Sequence, residues 1–193
     1  MKKSLITLSG LILTCALALA DAEVGKAAPD FTVKDVDGKT HKLSDYKGKI
    51  VVLEAYNLDC PYVANHYNTG AMQELQGNVT GKDVVWLTVN SSYNDAAKAK
   101  KEVADKKIKS TVVYDPAGKI GKEYGFKTTP HMVVIGKDGK VAYNGAIDDK
   151  AETEGDPRAA KNYVKDAVGK LQAGQPLAVA KTKPYGCGVK YAN

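Results

Sequence analysis

The 193-residue chain has little cysteine, little arginine, no block of like charges and one continuous apolar run. Each shortage removes a class of function. The apolar run, Leu5 to Leu19, is about fifteen residues long with Ser9 and Gly10 inside it, short of the roughly twenty residues that cross a bilayer. A membrane span is therefore not the expectation for this segment. Met1-Lys-Lys-Ser before the run, with Ala18-Leu-Ala20 or Ala20-Asp-Ala22 after it, has the basic, apolar and small-residue regions of a secretory signal. Residues 1–22 are read as that signal, and the mature protein as exported, periplasmic, and without stable membrane insertion. Cys15 follows Thr14, where lipoprotein signals carry Gly, Ala or Ser, so the expectation is that Cys15 leaves with the leader.

The formal charge is +6, or +4 once Lys2 and Lys3 are gone, and the lysines are spread over turns and helix faces. That pattern describes a solvated surface and not a nucleic-acid or membrane patch. No internal repeat and no low-complexity segment occurs; the Asp-Gly turns at Asp37-Gly38 and Asp138-Gly139 are recurring turn chemistry.

Two cysteines remain, in different settings. Cys60 ends the run Ile50-Val-Val-Leu-Glu-Ala-Tyr-Asn-Leu-Asp-Cys-Pro61, and Cys187 lies in Lys183-Pro-Tyr-Gly-Cys-Gly-Val-Lys190. A thiol where a buried strand turns into a helix is a candidate nucleophile, because the helix dipole and free backbone N–H groups stabilise the thiolate. An even pair in an oxidising compartment also permits a disulfide to form and persist.

The length fits one domain, assigned to residues 23–174, followed by a tail over residues 175–193 that carries Cys187. Apolar and polar residues alternate on both sides of Asp37-Gly38, predicting a surface hairpin. Ile50 to Tyr56 reads as a strand buried on both faces, and Val63, Tyr67, Ala71, Met72 and Leu75 mark one face of the helix that follows. Val84 to Asn90 is a second buried strand, with Asn94 as the expected cap of a helix running to about Lys107. Thr111 to Tyr114 forms a short strand and Lys119 to Tyr124 a brief helix closed by Gly125. A hairpin around Asp138-Gly139 makes the antiparallel edge, and Asp156-Pro157 is expected to cap a last helix that ends at Gly174. Beyond Gln175 there is no periodicity. The fold class is α/β: a three-layer arrangement with a mixed central sheet and helices on both faces, an N-terminal β-hairpin extension and an irregular C-terminal tail. In such sheets chemistry gathers at the carboxyl ends of the central strands, and Cys60 is at such an end.

Val24-Gly-Lys-Ala-Ala-Pro-Asp-Phe31, Leu43-Ser-Asp-Tyr-Lys-Gly-Lys-Ile-Val-Val-Leu53, Cys60-Pro61 and Thr129-Pro130, in this order, resemble the thioredoxin-fold redoxin family that includes the alkyl hydroperoxide reductase C/thiol-specific antioxidant proteins and peroxiredoxins. The resemblance covers roughly Glu23 to Leu171. It implies a thioredoxin-like sheet, a reactive Cys60, and a cis-proline at Pro130 that leaves the Thr129 backbone available to an extended substrate strand. Asn57, Pro61, Thr129 and Pro130 are the substrate-binding residues it suggests.

The departures narrow the chemistry. Val63 stands where a Cys-x-x-Cys pair would need its second cysteine. Leu53 and Asn57 stand where peroxiredoxins have Pro and Thr in Pro-x-x-x-Thr-x-x-Cys, and the only arginine, Arg158, is far along the chain. Cys187 is the candidate resolving partner, since more than ten residues after Gly174 extend up to about 3.3 to 3.6 Å each. Gly186 and Gly188 beside it permit unusual backbone angles. The expected function is an exported thiol-dependent oxidoreductase: Cys60 attacks a hydroperoxide or a disulfide, Cys187 resolves the product, and an external thiol reductant restores both, with no prosthetic group. Disulfide exchange alone is one alternative. Another is a static Cys60–Cys187 disulfide, which would contribute about 4 to 5 kcal/mol on the loop-entropy view. A third is a copper or zinc site of Cys60, Cys187 and His66 or His131, disfavoured because Cys-x5-His matches no common metal spacing. His66 and His41 are expected at the surface, and Tyr56 and Trp86 in the core.

Overall fold

The structure, a computed structural model, describes residues 22–92 and 95–192. The expected leader, Ala22 apart, lies outside the described residues together with Cys15, and so does Asn94.

Among the described residues, nine strands and five helices form around one seven-stranded sheet. The strands are β1 (Thr32–Asp35), β2 (Thr40–Lys42), β3 (Ile50–Ala55), β4 (Val84–Asn90), β5 (Thr111–Tyr114), β6 (Thr128–Thr129), β7 (His131–Ile135), β8 (Val141–Gly145) and β9 (Cys187–Gly188). The helices are α1 (Pro61–Asn68), α2 (Ala71–Val79), α3 (Ala96–Asp105), α4 (Lys119–Glu123) and α5 (Tyr163–Gln172). The large sheet runs β2-β1-β5-β4-β3-β7-β8, with β3, β4 and β5 parallel and the remaining pairings antiparallel. All six residues of β3 are buried, which is why that segment reads as a continuous apolar run without alternation.

The alternate side chains of β3 feed two cores. Ile50, Val52 and Tyr56 join Trp86, Met132 and Val134 beneath Val63 and Tyr67 of α1, Met72 and Leu75 of α2, and Val164 and Val168 of α5. Val51, Leu53 and Ala55 join Leu87, Val89 and Val133 beneath Ile120, Tyr124 and Phe126. Helices therefore cover both faces, as the sequence pattern requires.

Four local readings are corrected. The helix expected across Val63 to Leu75 is two helices, broken at Thr69-Gly70, where Gly70 takes a positive φ of 78° and the Thr69 hydroxyl donates back to the Asn65 carbonyl at 2.8 Å. The same apolar residues still face the core, because the break changes direction without changing the buried stripe. Asp95 caps α3, accepting from the Ala97 and Lys98 amides. Asp156-Pro157 opens only a 3-10 turn, and Asn162 caps α5 by accepting from the Lys165 amide at 2.8 Å. The N-terminal hairpin extends the sheet at one edge, since β1 also pairs with β5. His41 on that hairpin is buried, bonded to Asp35 at 2.7 Å and to the Tyr46 hydroxyl at 2.6 Å. Among the described residues, no helix is long and apolar enough to cross a membrane.

The C-terminal segment lacks periodicity, yet it is docked along the body. The Asn144 backbone exchanges hydrogen bonds with Ala180 and Thr182 at 3.1 and 3.2 Å, the Tyr191 hydroxyl donates to the Phe126 carbonyl at 2.8 Å, and β9 pairs antiparallel with β6. A strand held by single long-range bonds needs no amphipathic repeat, so pattern alone leaves it looking irregular.

Candidate functional site

Cys60 occupies the N-cap of α1, with Pro61 at the first helical position. Proline suits that position because its missing N–H would be unpaired there in any case. The strand β3 delivers Cys60 to the edge of the core, where it is almost fully buried. The turn before it is tied by Asn57, whose side-chain oxygen accepts from the Asp59 amide at 2.9 Å and whose carbonyl accepts from the Cys60 amide at 3.1 Å. The Cys60 thiol donates to the Thr129 carbonyl at 2.9 Å, and the Thr129–Pro130 bond is cis.

The tail completes this arrangement. In the β6–β9 ladder Cys187 stands opposite Thr129 and Gly188 opposite Thr128. Gly186 has a φ of 121°, and a Cβ there would sit 2.0 Å from the Thr129 carbonyl oxygen and 3.3 Å from Pro130 Cδ. Only glycine passes this point. Gly188 is under no such constraint, with nothing within 4 Å of a Cβ built on it. Cys60, Cys187, Asn57, Asp59, Ser92 and Lys190 line an open cavity of about 450 Å³.

The two sulfurs are free thiols that line the same cavity, and each shifts the other's titration. Burial by itself would push the Cys60 thiol up. Interactions with the Cys187 thiol and with the Val63 and Cys187 amides outweigh it and lower the Cys60 pKa from the ordinary thiol value. The Thr129 hydroxyl is buried without a hydrogen-bond partner among the described residues. Cys187 moves the opposite way, pushed up by burial and then by the bond and charge of Cys60. The two shifts have opposite sign, so Cys60 is the thiol of the pair that gives up its proton first. Once Cys60 is bound to another atom its charge disappears, and with it two of the causes that keep Cys187 protonated. The expected result is a thiolate absorbance midpoint for Cys60 below about 8.5, which rises in Cys187→Ala and stays closer to wild type in Cys187→Ser, where a hydroxyl donor remains. An unchanged midpoint in Cys187→Ala would remove Cys187 from this role.

The six residues expected at the site, Cys60, Cys187, Asn57, Pro61, Thr129 and Pro130, lie together. Leu53, at the peroxiredoxin proline position, is wholly buried in the core. Arg158 is elsewhere, paired with Glu74 at 2.6 Å and Asp156 at 3.0 Å. It lines a separate cavity of about 730 Å³ between α2 and α5 that does not include Cys60.

His66 is not the surface residue expected from its helical position. It is buried, its Nε2 lies 3.3 Å from the Tyr185 hydroxyl and 3.6 Å from Asp148 Oδ2, and burial lowers its pKa to about 4. Its neutral ring meets a hydroxyl that donates to Asp148 Oδ1 at 2.6 Å. His131 is also committed, with Nδ1 accepting from the Lys127 amide at 3.2 Å and Nε2 bonded to Asn144 at 2.7 Å. Sequence reasoning missed the Tyr185–Asp148–His66 cluster, whose members are separated by dozens of residues. The one signal available was an aromatic beside the Gly-Cys-Gly triplet.

Comparison with known proteins gives the family and the fold. A thiol-disulfide oxidoreductase ResA from Bacillus thuringiensis subsp. konkukian is 35% identical over 119 residues, covering 62% of this chain and 67% of that protein. A chloroplastic peroxiredoxin Q from Triticum aestivum is 33% identical over 130 residues, covering 62% and 57%. Among solved structures, a hypothetical protein from Sinorhizobium meliloti 1021 aligns over 90% of this chain and 97% of its own with a TM-score of 0.78 at 19% identity, a likeness of fold alone. A thiol:disulfide interchange protein DsbE from Chlorobium tepidum, given as putative in its description, aligns over 80% and 98% with a TM-score of 0.60 at 25% identity. The fold is therefore that of thioredoxin, and since residues 24–144 match the AhpC/TSA family, the chain belongs to that family.

Proposed function

We propose that this protein is an exported thiol–disulfide oxidoreductase in which Cys60 is the nucleophile and Cys187 the resolving cysteine of the same chain. The observation that carries the reading is a buried thiol at a helix N-cap and a second thiol, held opposite Thr129, that line one cavity. The ResA and DsbE relatives support thiol and disulfide partners, and the basic, apolar and small-residue pattern of residues 1–22 supports export to an oxidising compartment.

The Cys60 thiolate attacks one sulfur of a substrate disulfide. The substrate S–S bond breaks, one thiolate leaves and takes a proton from solvent, and a mixed disulfide remains on Cys60. Cys187 gives up its proton and attacks the Cys60 sulfur, which expels the second substrate thiolate and leaves a Cys60–Cys187 disulfide. An external thiol reductant returns two electrons. With a hydroperoxide the first step instead transfers one oxygen, giving a Cys60 sulfenic acid and an alcohol, and Cys187 then displaces water.

Disulfide exchange is the favoured chemistry because the groups that activate peroxide in peroxiredoxins have no counterparts at this site. Asn57 is used in its own turn, and Arg158 is paired with Glu74 and Asp156. Losing one such preorganised donor costs on the order of 10² to 10³ in rate. Stopped-flow oxidation by hydrogen peroxide is expected to run slower than in peroxiredoxins by at least that factor, while a small disulfide reacts readily. Peptide mapping after treatment with diamide is expected to show one intramolecular Cys60–Cys187 bond. Intermolecular pairing alone, or a Cys187 that stays free throughout, would defeat the resolving role.

A further inference from the structure

The tail lies in the place an extended substrate would need. An incoming polypeptide adds to a strand edge through its backbone, and the edge beside Cys60 is β6, already paired with β9. The seat is shaped around the tail, since the clearance at Gly186 admits no Cβ. It is also fastened on both sides. Before Cys187, the Tyr185 hydroxyl donates to the buried Asp148 at 2.6 Å, and its ring packs on Tyr62 of α1 at 5.8 Å. After it, the Val189 amide donates to the Lys127 carbonyl at 3.3 Å and Tyr191 to Phe126 at 2.8 Å. What remains open toward Cys60 is the cavity of about 450 Å³, room for a small molecule.

We infer that the docked tail selects substrates by size: with β9 seated on β6, small disulfides reach Cys60 through the cavity, while extended cysteine-bearing polypeptides react only after the tail lifts, and Tyr185 and Gly186 are the residues that hold it down. This rests on the reading of Cys60 as the nucleophile. Reactivity toward a polypeptide is then reduced by the fraction of molecules with the tail lifted, and that of a small disulfide is not. The lowered Cys60 pKa supports the same seat, because two of its donors belong to Cys187.

The test uses the full chain and two probes. One is the symmetrical thionitrobenzoate disulfide; the other is an extended synthetic peptide with one central cysteine held as its mixed disulfide with thionitrobenzoate. In both, the Cys60 thiolate attacks the disulfide and a coloured thiolate leaves. In the peptide probe the attack relevant here is on the peptide sulfur, so that the Cys60–peptide bond forms as thionitrobenzoate departs. Gly186→Ala drives β9 off β6, checked by loss of hydrogen-exchange protection at the Val189 amide. Tyr185→Phe removes the bond to Asp148 while keeping the ring against Tyr62, and serves as the second variant should Gly186→Ala misfold. The expected result is a peptide-to-small-disulfide rate ratio that rises by roughly tenfold or more in Gly186→Ala and by a smaller factor in Tyr185→Phe. A rise in the Cys60 thiolate midpoint should accompany it, a change that simple loss of stability would not produce. If Val189 loses protection and the ratio does not move, the selection is overturned with the nucleophile intact. If neither probe reacts with wild type or either variant, the nucleophile assignment itself has failed, and the selection with it.

Discussion

Replacing Cys60 with serine is expected to reduce turnover of disulfides and hydroperoxides by at least about 10³-fold, with the fold unchanged by circular dichroism. Oxygen replaces sulfur in nearly the same volume, so the buried site is retained. The chemistry is not, because the donors that stabilise a thiolate at Cys60 cannot bring a serine hydroxyl into the neutral range. Cys187→Ser should behave differently: a single turnover proceeds, stops at the mixed disulfide or sulfenic acid on Cys60, and needs an outside thiol to continue. If Cys60→Ser keeps a sizeable fraction of activity, the nucleophile is Cys187 and the polarity of the pair is reversed.

Glu54→Leu is expected to destabilise the protein by about 4 kcal/mol or more, a large share of the roughly 5 to 15 kcal/mol that holds a domain folded. Glu54 is wholly buried in β3. It accepts from Trp86 Nε1 and the Thr88 hydroxyl at 2.9 Å each, from the Tyr67 hydroxyl at 3.0 Å, and from Gln76 Nε2 at 3.3 Å. Leucine fills the space but leaves Trp86 Nε1 and the Tyr67 hydroxyl without an acceptor, while Gln76 and Thr88 keep only Tyr67 and Ser110, and this unmet desolvation exceeds the gain from one more apolar side chain. Urea denaturation measures the loss. A leucine variant within about 1 kcal/mol of wild type would mean that water or neighbouring groups satisfy those donors instead.

The same residue has a pH signature. Burial raises the Glu54 pKa from 4.5 to about 6 against the opposing effect of its donors. The folded state therefore holds the proton more tightly than the unfolded chain. The stability this gives is fully present below about 4.5 and is lost as pH rises through about 6. The change is about 2 kcal/mol. In Glu54→Gln that part of the pH dependence should vanish, so the difference in unfolding free energy between wild type and variant changes across this window. A constant difference would show that Glu54 titrates alike in both states.

Glu54 also marks where reading by pattern stops. Its position in an apolar run identifies a buried strand, and Ile50 to Tyr56 are all buried, with Ile50 to Ala55 forming β3, because Ile, Val and Leu outnumber everything else. Nothing local says that a carboxylate there will find Trp86, Thr88, Tyr67 and Gln76, since those partners lie 13 to 34 residues away. The exposure expected for His41 and His66 fails for the same reason, because each is buried only through the groups that close over it.

The local patterns were enough for the alternation of strands and helices, both Asp-Gly hairpins and the location of Cys60 where a buried strand meets a helix. Those features depend on periodicity and turn chemistry within a dozen residues. The pairing of Cys187 with Thr129 depends on a φ of 121° at Gly186, on Tyr185 meeting Asp148 37 residues away, and on a backbone ladder between segments of no visible period. Such contacts are made by chain ends that folding brings together, and two residues of extended strand leave no repeat in composition. Composition could nominate both cysteines, but the difference between them, with the Cys60 pKa lowered and the Cys187 pKa raised, exists only when the tail is seated beside the helix that Cys60 caps.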